Sequence, residues 1–321
     1  MTVLRLPALR SDDTLGFLAA IGTVELCSTA LGWNVRLGWE RLGGAALLDA
    51  PVGTVHDLAA SLLGVAVKLN GEGRLVPGVE AGLIPKALST LERRKQSLAL
   101  DPLKMTPEIA VRRFAGLQEG DLPGAGTDAR WLAALVAQCA PAPTATAGER
   151  RLTPLYAPRG MMTLFQLFRD SLSEVTNRPE LLEQALLNWR RDEGTGADLD
   201  ARWLRDGAAA SRERKSGTDN QAVLGATWLA LQSLPWFTQT GDGRLAEATG
   251  WVRGRGGSAL RWPVWTALLD VPAIQVVLSH PEIGPTPASP SLGVVGVCEA
   301  RRRALSKSAG PLQPPVVLWS A

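Results

Sequence analysis

Two histidines and three cysteines are the only nitrogen and sulfur side chains of the usual metal-binding kind in this chain. His56 and His280 share no ligand spacing, and Cys27, Cys139 and Cys298 are far apart with no CxxC pair. This argues against a disulfide framework and a structural zinc site, and fits a reducing cytoplasm. GxSxG, HExxH and GxxxxGK(S/T) are all missing, so no nucleophile elbow, zinc-protease helix or phosphate loop is legible. No apolar run reaches membrane-spanning length, and the first residues lack a basic stretch followed by an apolar core and a cleavage site. The sequence leads us to expect a cytoplasmic protein with no membrane partner, no cofactor, no metal and no catalytic residue. Tyrosine occurs once, against 11 tryptophans. Such tryptophans either fill a core or stack on bases.

The 321 residues suffice for one large domain or two ordinary ones. Hydrophobic residues make up 45% and charged residues 20%, a globular balance. Net charge is only +3, so any nucleic-acid contact must come from local patches.

The N-terminal segment reads as strand, helix, strand, strand, helix, most of a ferredoxin-like split β-α-β. Val3 to Leu9, broken by Pro7, reads as an edge strand or a strand entry. Ser11 is the expected N-cap of the helix that follows. Asp12 and Asp13 would complement its dipole and repel phosphate, so the junction reads as a capped helix rather than an anion site. Gly16 and Gly22 lie within that helix, where they would permit close packing on the sheet. Trp33, Val35, Leu37 and Trp39 alternate on one face of a half-buried strand. "GAALLDAP" is its hairpin partner, and "TVHDLAASLLGVAVKL" is a second helix capped by Thr54.

Beyond Lys86 the chain turns helical and basic. "ARWLAALVAQCA" predicts a short helix, and 141–150, rich in Pro, Ala, Thr and Gly, predicts a linker or long loop. "MMTLFQLFRDSL", "RPELLEQALLNWRR" and "QAVLGATWLALQSLPWF" predict three more helices. Residues 192–220 form a polar excursion dense in both charges. The C-terminal third predicts strands: a hairpin with "RGRGGS" at its tip, then "SLGVVGVCEARRRALSKS" and "PPVVLWSA". "VPAIQVVLSH" is helix or strand. The expected architecture is α+β: a ferredoxin-like N-terminal unit, a helical middle and C-terminal strands. The expected division is 1–140 and 151–321 around the 141–150 linker.

Chemistry is sparse. Cys27 sits within a helix on or near its apolar face and reads as core. Asp192, Glu193, Asp198, Asp200 and Asp206 could hold hard divalent ions as in two-metal nucleases. However, their spacing fits no calcium loop, and Arg190, Arg191, Arg202 and Arg205 would neutralise them. The basic patches are the stronger signal: Arg93, Arg94 and Lys95; Arg112 and Arg113; Arg212, Arg214 and Lys215; and Arg301 to Arg303. The hairpin adds Arg253, Arg255 and Arg261. Cations on exposed loops beside glycine suit backbone phosphates. The expected nucleic-acid-binding residues are Arg253, Arg255 and Arg261, then Arg212, Arg214 and Lys215, then Arg93, Arg94 and Lys95. Trp251 and Trp262 stand beside the hairpin arginines, and core packing is the safer reading for both.

"LPALRSDDTLGFLAAIGTVEL", "LTPLYAPRGMMTLFQLFRDSL", "GATWLALQSLPWFTQTGDG" and "ALRWPVW" resemble accessory, large-subunit-like proteins of subtype I-G (formerly I-U) CRISPR operons, and the similarity is spread over nearly the whole chain. The resemblance implies a non-catalytic subunit of an RNA-guided defence complex, with CRISPR RNA, target DNA and other effector subunits as partners. It supplies no active-site residues. The modest net charge departs from what a subunit clamping a long duplex would need. Two readings stand beside it: a metal-dependent nuclease built on Asp192, Asp198, Asp200 and Asp206, and a structural adaptor docking through a tryptophan-rich surface.

Overall fold

The computed structural model describes residues 2–78, 125–141, 150–155, 164–194, 196–197, 199–200, 221–241, 246–254, 257–287, 290–304 and 309–321. Strand β1 (Thr2–Arg10) leads into helix α1 (Thr14–Glu25), which runs on as a π-helical turn over Leu26–Ala30. A hairpin of β2 (Arg36–Trp39) and β3 (Ala45–Ala50) follows, then α2 (Val55–Gly71). Strand β3 lies between β1 and β2 and is antiparallel to both, so β1 and β2 run parallel and are split by it. This is the expected split β-α-β. The fourth strand departs from the full ferredoxin-like pattern, in which the last strand lies beside the first. Here β12 (Leu269–Asp270), from far along the chain, pairs with β2 at the opposite edge.

Local chemistry accounts for most of these boundaries. The N-cap of α1 is Asp13, whose carboxylate accepts from the Gly16 amide at 2.9 Å. The sequence pointed to Ser11, but the Ser11 hydroxyl is used elsewhere. It accepts from the Gly43 amide at 2.7 Å and donates to the Arg41 carbonyl, tying β1 to the turn of the β2–β3 hairpin. Replacing Asp13 with Ala should lower stability by about 1–2 kcal/mol, measured as a shift of the urea midpoint. Helix α2 opens with a capping box in which Thr54 and Asp57 bond each other's backbone amides. Pro7 falls where β1 stops pairing with β3, between Leu6 and Arg10, so its missing N–H costs no ladder bond.

Helix α3 (Ala125–Leu135) ends sooner than its apolar run suggested. Val136–Pro141 is strand β4, paired with β5 (Arg150–Leu152). Pro141 pairs with Arg150, so the two flanks of the expected linker are joined directly; 142–149 lie outside the described residues. Three helices follow: α4 (Leu164–Asn177), α5 (Glu180–Leu187) and α6 (Leu224–Gln232). Between the last two, β6 (Asp192–Glu193) pairs with β7 (Gln221–Ala222), which clamps the base of the polar excursion. The "VPAIQVVLSH" segment resolves as helix α7 (Val271–Ser279), capped by Asp270 with proline in its first turn.

The C-terminal sheet holds β8 (Gln239–Gly241), β9 (Ala246–Ala248), β10 (Trp251–Gly254), β11 (Gly257–Trp265), β13 (Val294–Ala304), β14 (Ala309–Leu312) and β15 (Val316–Ser320). Their order is β14-β13-β11-β10-β9-β8, with β15 also on β13. The α+β architecture is therefore the one expected, with sheets at both ends and helices between. One hydrophobic cluster runs from Leu4 to Leu312 through both expected halves.

Aromatic side chains join the two sheets. Phe17 stacks on Trp262 at 5.4 Å and lies 6.0 Å from Trp39, which meets Trp265 edge-on. The indoles of Trp262 and Trp265 donate to the carbonyls of Ser11 and Leu37, each at 2.8 Å. A strand near the C-terminus thus bonds back to the first strands, combining large apolar burial with satisfied indole N–H groups. None of the described tryptophans is exposed. Their abundance serves the core, and the tryptophan-rich docking surface of the adaptor reading is not found among the described residues.

Candidate nucleic-acid interface

The hairpin expected around "RGRGGS" forms from β10 and β11, with Gly254 opposite Gly257. Its tip, including Arg255, lies outside the described residues, as do Arg93, Arg94, Lys95, Arg112, Arg113, Arg212, Arg214 and Lys215. Arg253 and Arg261 can be placed, and they do not converge. Arg253 pairs with Ser258 across the hairpin, and Trp251 with Leu260. Side chains alternate along a strand, so Ser258 and Leu260 share one face and Arg261 takes the other. Arg253 is exposed at the hairpin end, on the face whose interior carries Leu260, Trp262 and Cys298. The pleat therefore sends Arg253 and Arg261 to opposite faces of the sheet.

Arg261 belongs instead to a row on the outer face. It sits opposite Glu299 of β13 and donates to that carboxylate from Nε at 3.2 Å and Nη2 at 2.7 Å. Glu299 also accepts from Arg301 Nε at 3.2 Å. Its side chain is 6% exposed, while Arg301 is 55% exposed. Arg303, two residues further along β13, is exposed. One carboxylate between two guanidiniums, with a third cation alongside, leaves the row net positive. Ion pairing fixes Arg261 and Arg301 in place and reduces the side-chain entropy that a ligand must overcome.

Arg302 alternates to the inner face. It is buried, donates to the Pro154 carbonyl at 2.6 Å, and its guanidinium lies 5.3 Å from the centre of the Trp251 ring. It pins β13 to the segment after β5. Of the basic run Arg301 to Arg303, two members face solvent and one is structural. Trp251 and Trp262 are buried, 8% and 0% exposed, so both pack rather than stack on bases.

In the acidic cluster, Asp192 and Asp200 are neutralised by arginines, and Glu193 is exposed. Asp192 accepts from Arg178 at 2.8 Å and pairs with Arg190 at 3.2 Å, and Asp200 is held by Arg191 at 2.8 Å. Asp198 and Asp206 lie outside the described residues. Among the described residues no group of three or more His, Cys, Asp or Glu is placed to hold a metal ion. Burial pushes the thiols of Cys27 and Cys298 up to about 12, so neither forms a thiolate near neutral pH. His56 stands 3.2 Å from Glu183 on the surface, and His280 Nδ1 accepts from the Glu282 amide. Among the described residues no helix is long and apolar enough to cross a membrane.

Glu299 is the residue that sequence reasoning missed. An acid immediately before the "ARRR" run carries no signal until β11 and β13 are paired. No protein-family model matches the chain, and a search of curated proteins returns no match.

Proposed function

We propose that this chain is a non-catalytic component of a type I, I-G-like CRISPR RNA-guided complex in the cytoplasm, holding nucleic-acid backbone and contacting neighbouring subunits. The observation that supports it is the outer row Arg261, Glu299, Arg301 and Arg303. Two of its cations face solvent, and a shared carboxylate holds two of its guanidiniums in fixed positions. Such a row suits phosphate contacts, which position a strand without reading its sequence. The resemblance of the quoted segments to I-G accessory proteins supplies the setting, and either CRISPR RNA or target DNA would fit the row.

The variant Arg301→Ala/Arg303→Ala tests the assignment. Both side chains are exposed, so the fold should survive. Binding should weaken nearly equally on all sequences, and the slope of log affinity against log salt should flatten by about 1 per arginine removed. An unchanged slope would remove the row from the interface. Binding to protein partners that persists in the variant, with no nucleic acid held by the parent chain, would favour the adaptor reading.

A further inference from the structure

The outer face carries a second feature beside the arginine row. A cleft of about 350 Å³ lies between β8, β9 and β10 on one side and the segment from the end of α7 to Ile283 on the other. Its volume falls in the range of small-ligand pockets. Thr240 pairs with Glu247 across β8 and β9, and both are exposed. Trp251 pairs with Ala248, and Gln239 also pairs with Ala248, so these three share the inner face and Glu247, Thr240 and Val252 share the outer one. Arg261 is on that same outer face and lines the cleft. The cleft and the arginine row are therefore one continuous surface.

The polar character of the cleft is lopsided. Arg261 already donates from Nε and Nη2 to Glu299, so much of its donor capacity is spent outside the cleft. What remains includes the Glu247 carboxylate, the hydroxyls of Thr238, Thr240 and Thr249, Ser279, whose hydroxyl donates to the Gln275 carbonyl, His280, whose Nδ1 is engaged by the Glu282 amide, and the last turn of α7, whose end carries partial negative charge. Val252, Leu278 and Ile283 supply apolar surface. A phosphate suits this lining poorly. A flat group with apolar faces and two adjacent N–H donors suits it well. Among nucleobases only guanine offers two such donors, N1–H and N2–H, side by side on one edge. They match the two oxygens of a carboxylate, as paired donors and acceptors do in base readout generally.

We propose that this cleft receives an unstacked guanine from the single strand held by the arginine row, with Glu247 accepting from its Watson–Crick edge. The proposal rests on the phosphate-holding function and adds a base preference to it. The unstacked base is the form in which proteins read single strands.

The test compares short oligothymidylates carrying one central guanine, adenine or hypoxanthine, titrated against the full chain and against Glu247→Gln. Hypoxanthine keeps N1–H and lacks the N2 amine. The guanine strand should bind about thirtyfold more tightly than the adenine strand, the middle of the range for one bidentate base contact. Hypoxanthine should fall between them. In Glu247→Gln the guanine advantage over adenine should vanish, because the amide presents one acceptor beside one donor, which no longer matches guanine's paired donors and does match the donor and acceptor of adenine. Equal affinity for all three strands, with salt-sensitive binding intact, would overturn the cleft assignment and leave the phosphate-holding function standing. A guanine preference that survives Glu247→Gln would overturn the role of Glu247. No binding of any strand at low salt would remove both.

Discussion

Replacing Gly22 with Ala should destabilise the protein by about 3 kcal/mol or more, at or beyond the upper end of ordinary overpacking. A methyl group built at Gly22 would lie 1.7 Å from the carbonyl oxygen of Leu229 and 2.8 Å from its carbon. The obstacle is backbone, so no rotamer change relieves it; α1 and α6 would have to separate. Helix α6 has no room to retreat, because a methyl at Gly225 would lie 2.2 Å from the Leu181 carbonyl of α5. Gly64 is the control. It is exposed within α2, and a methyl group added there would meet nothing within 4 Å, so Gly64→Ala should gain up to about 1 kcal/mol from helix propensity. Urea midpoints of the two variants should move in opposite directions. A Gly22→Ala midpoint equal to that of the parent would contradict this packing.

Replacing Glu25 with Ala should cost about 2–4 kcal/mol, somewhat below the loss expected when a fully buried ion pair is broken. The Glu25 side chain is 4% exposed and sits where α1 passes into the π-helical turn. Arg130 of α3 donates to both its oxygens, at 3.2 and 3.1 Å, and the Trp236 indole donates at 2.8 Å. The hydroxyls of Ser28 and Thr29 bond the Glu25 carbonyl and support the widened turn. Truncation strips Trp236 of its acceptor and Arg130 of its carboxylate. Arg130 is 38% exposed and can turn to water, which sets the lower end of the range. In a double-mutant cycle with Arg130→Ala, the combined loss should be much less than the sum of the two single losses. Simple additivity, or a loss below about 0.5 kcal/mol, would show that the node does not hold the three elements together.

What could be read from the sequence followed local rules. The β2–β3 hairpin, the capped α2, the hairpin at "RGRGGS" and the α+β class all rest on alternation, caps and glycine turns, which act within a few residues. Partners distant in the chain were not legible. Nothing local says that β12 completes the N-terminal sheet, or that Trp262 donates to Ser11. Gly22 looked like a residue for packing on the sheet. Its true neighbour is another helix, because α6 crosses α1 at its smallest side chain. The same limit shaped the site. The arginines of the hairpin were visible as a group, but their faces depend on register, and register separates Arg253 from Arg261. Glu299 acquired meaning only when β13 was paired with β11. Glu247 stood out no more than any other exposed acid until its strand was placed beside α7.

The central claim is that the chain holds nucleic-acid backbone, and a salt titration of binding by the full chain tests it most directly. Single-stranded RNA, single-stranded DNA and duplex DNA would each be titrated from low to physiological salt. The expected result is affinity that falls steeply and linearly on logarithmic axes, with a slope set by the few phosphates that the arginine row can reach. The ligand bound most tightly identifies the strand that the chain serves. No binding of any of the three at low salt would contradict the account.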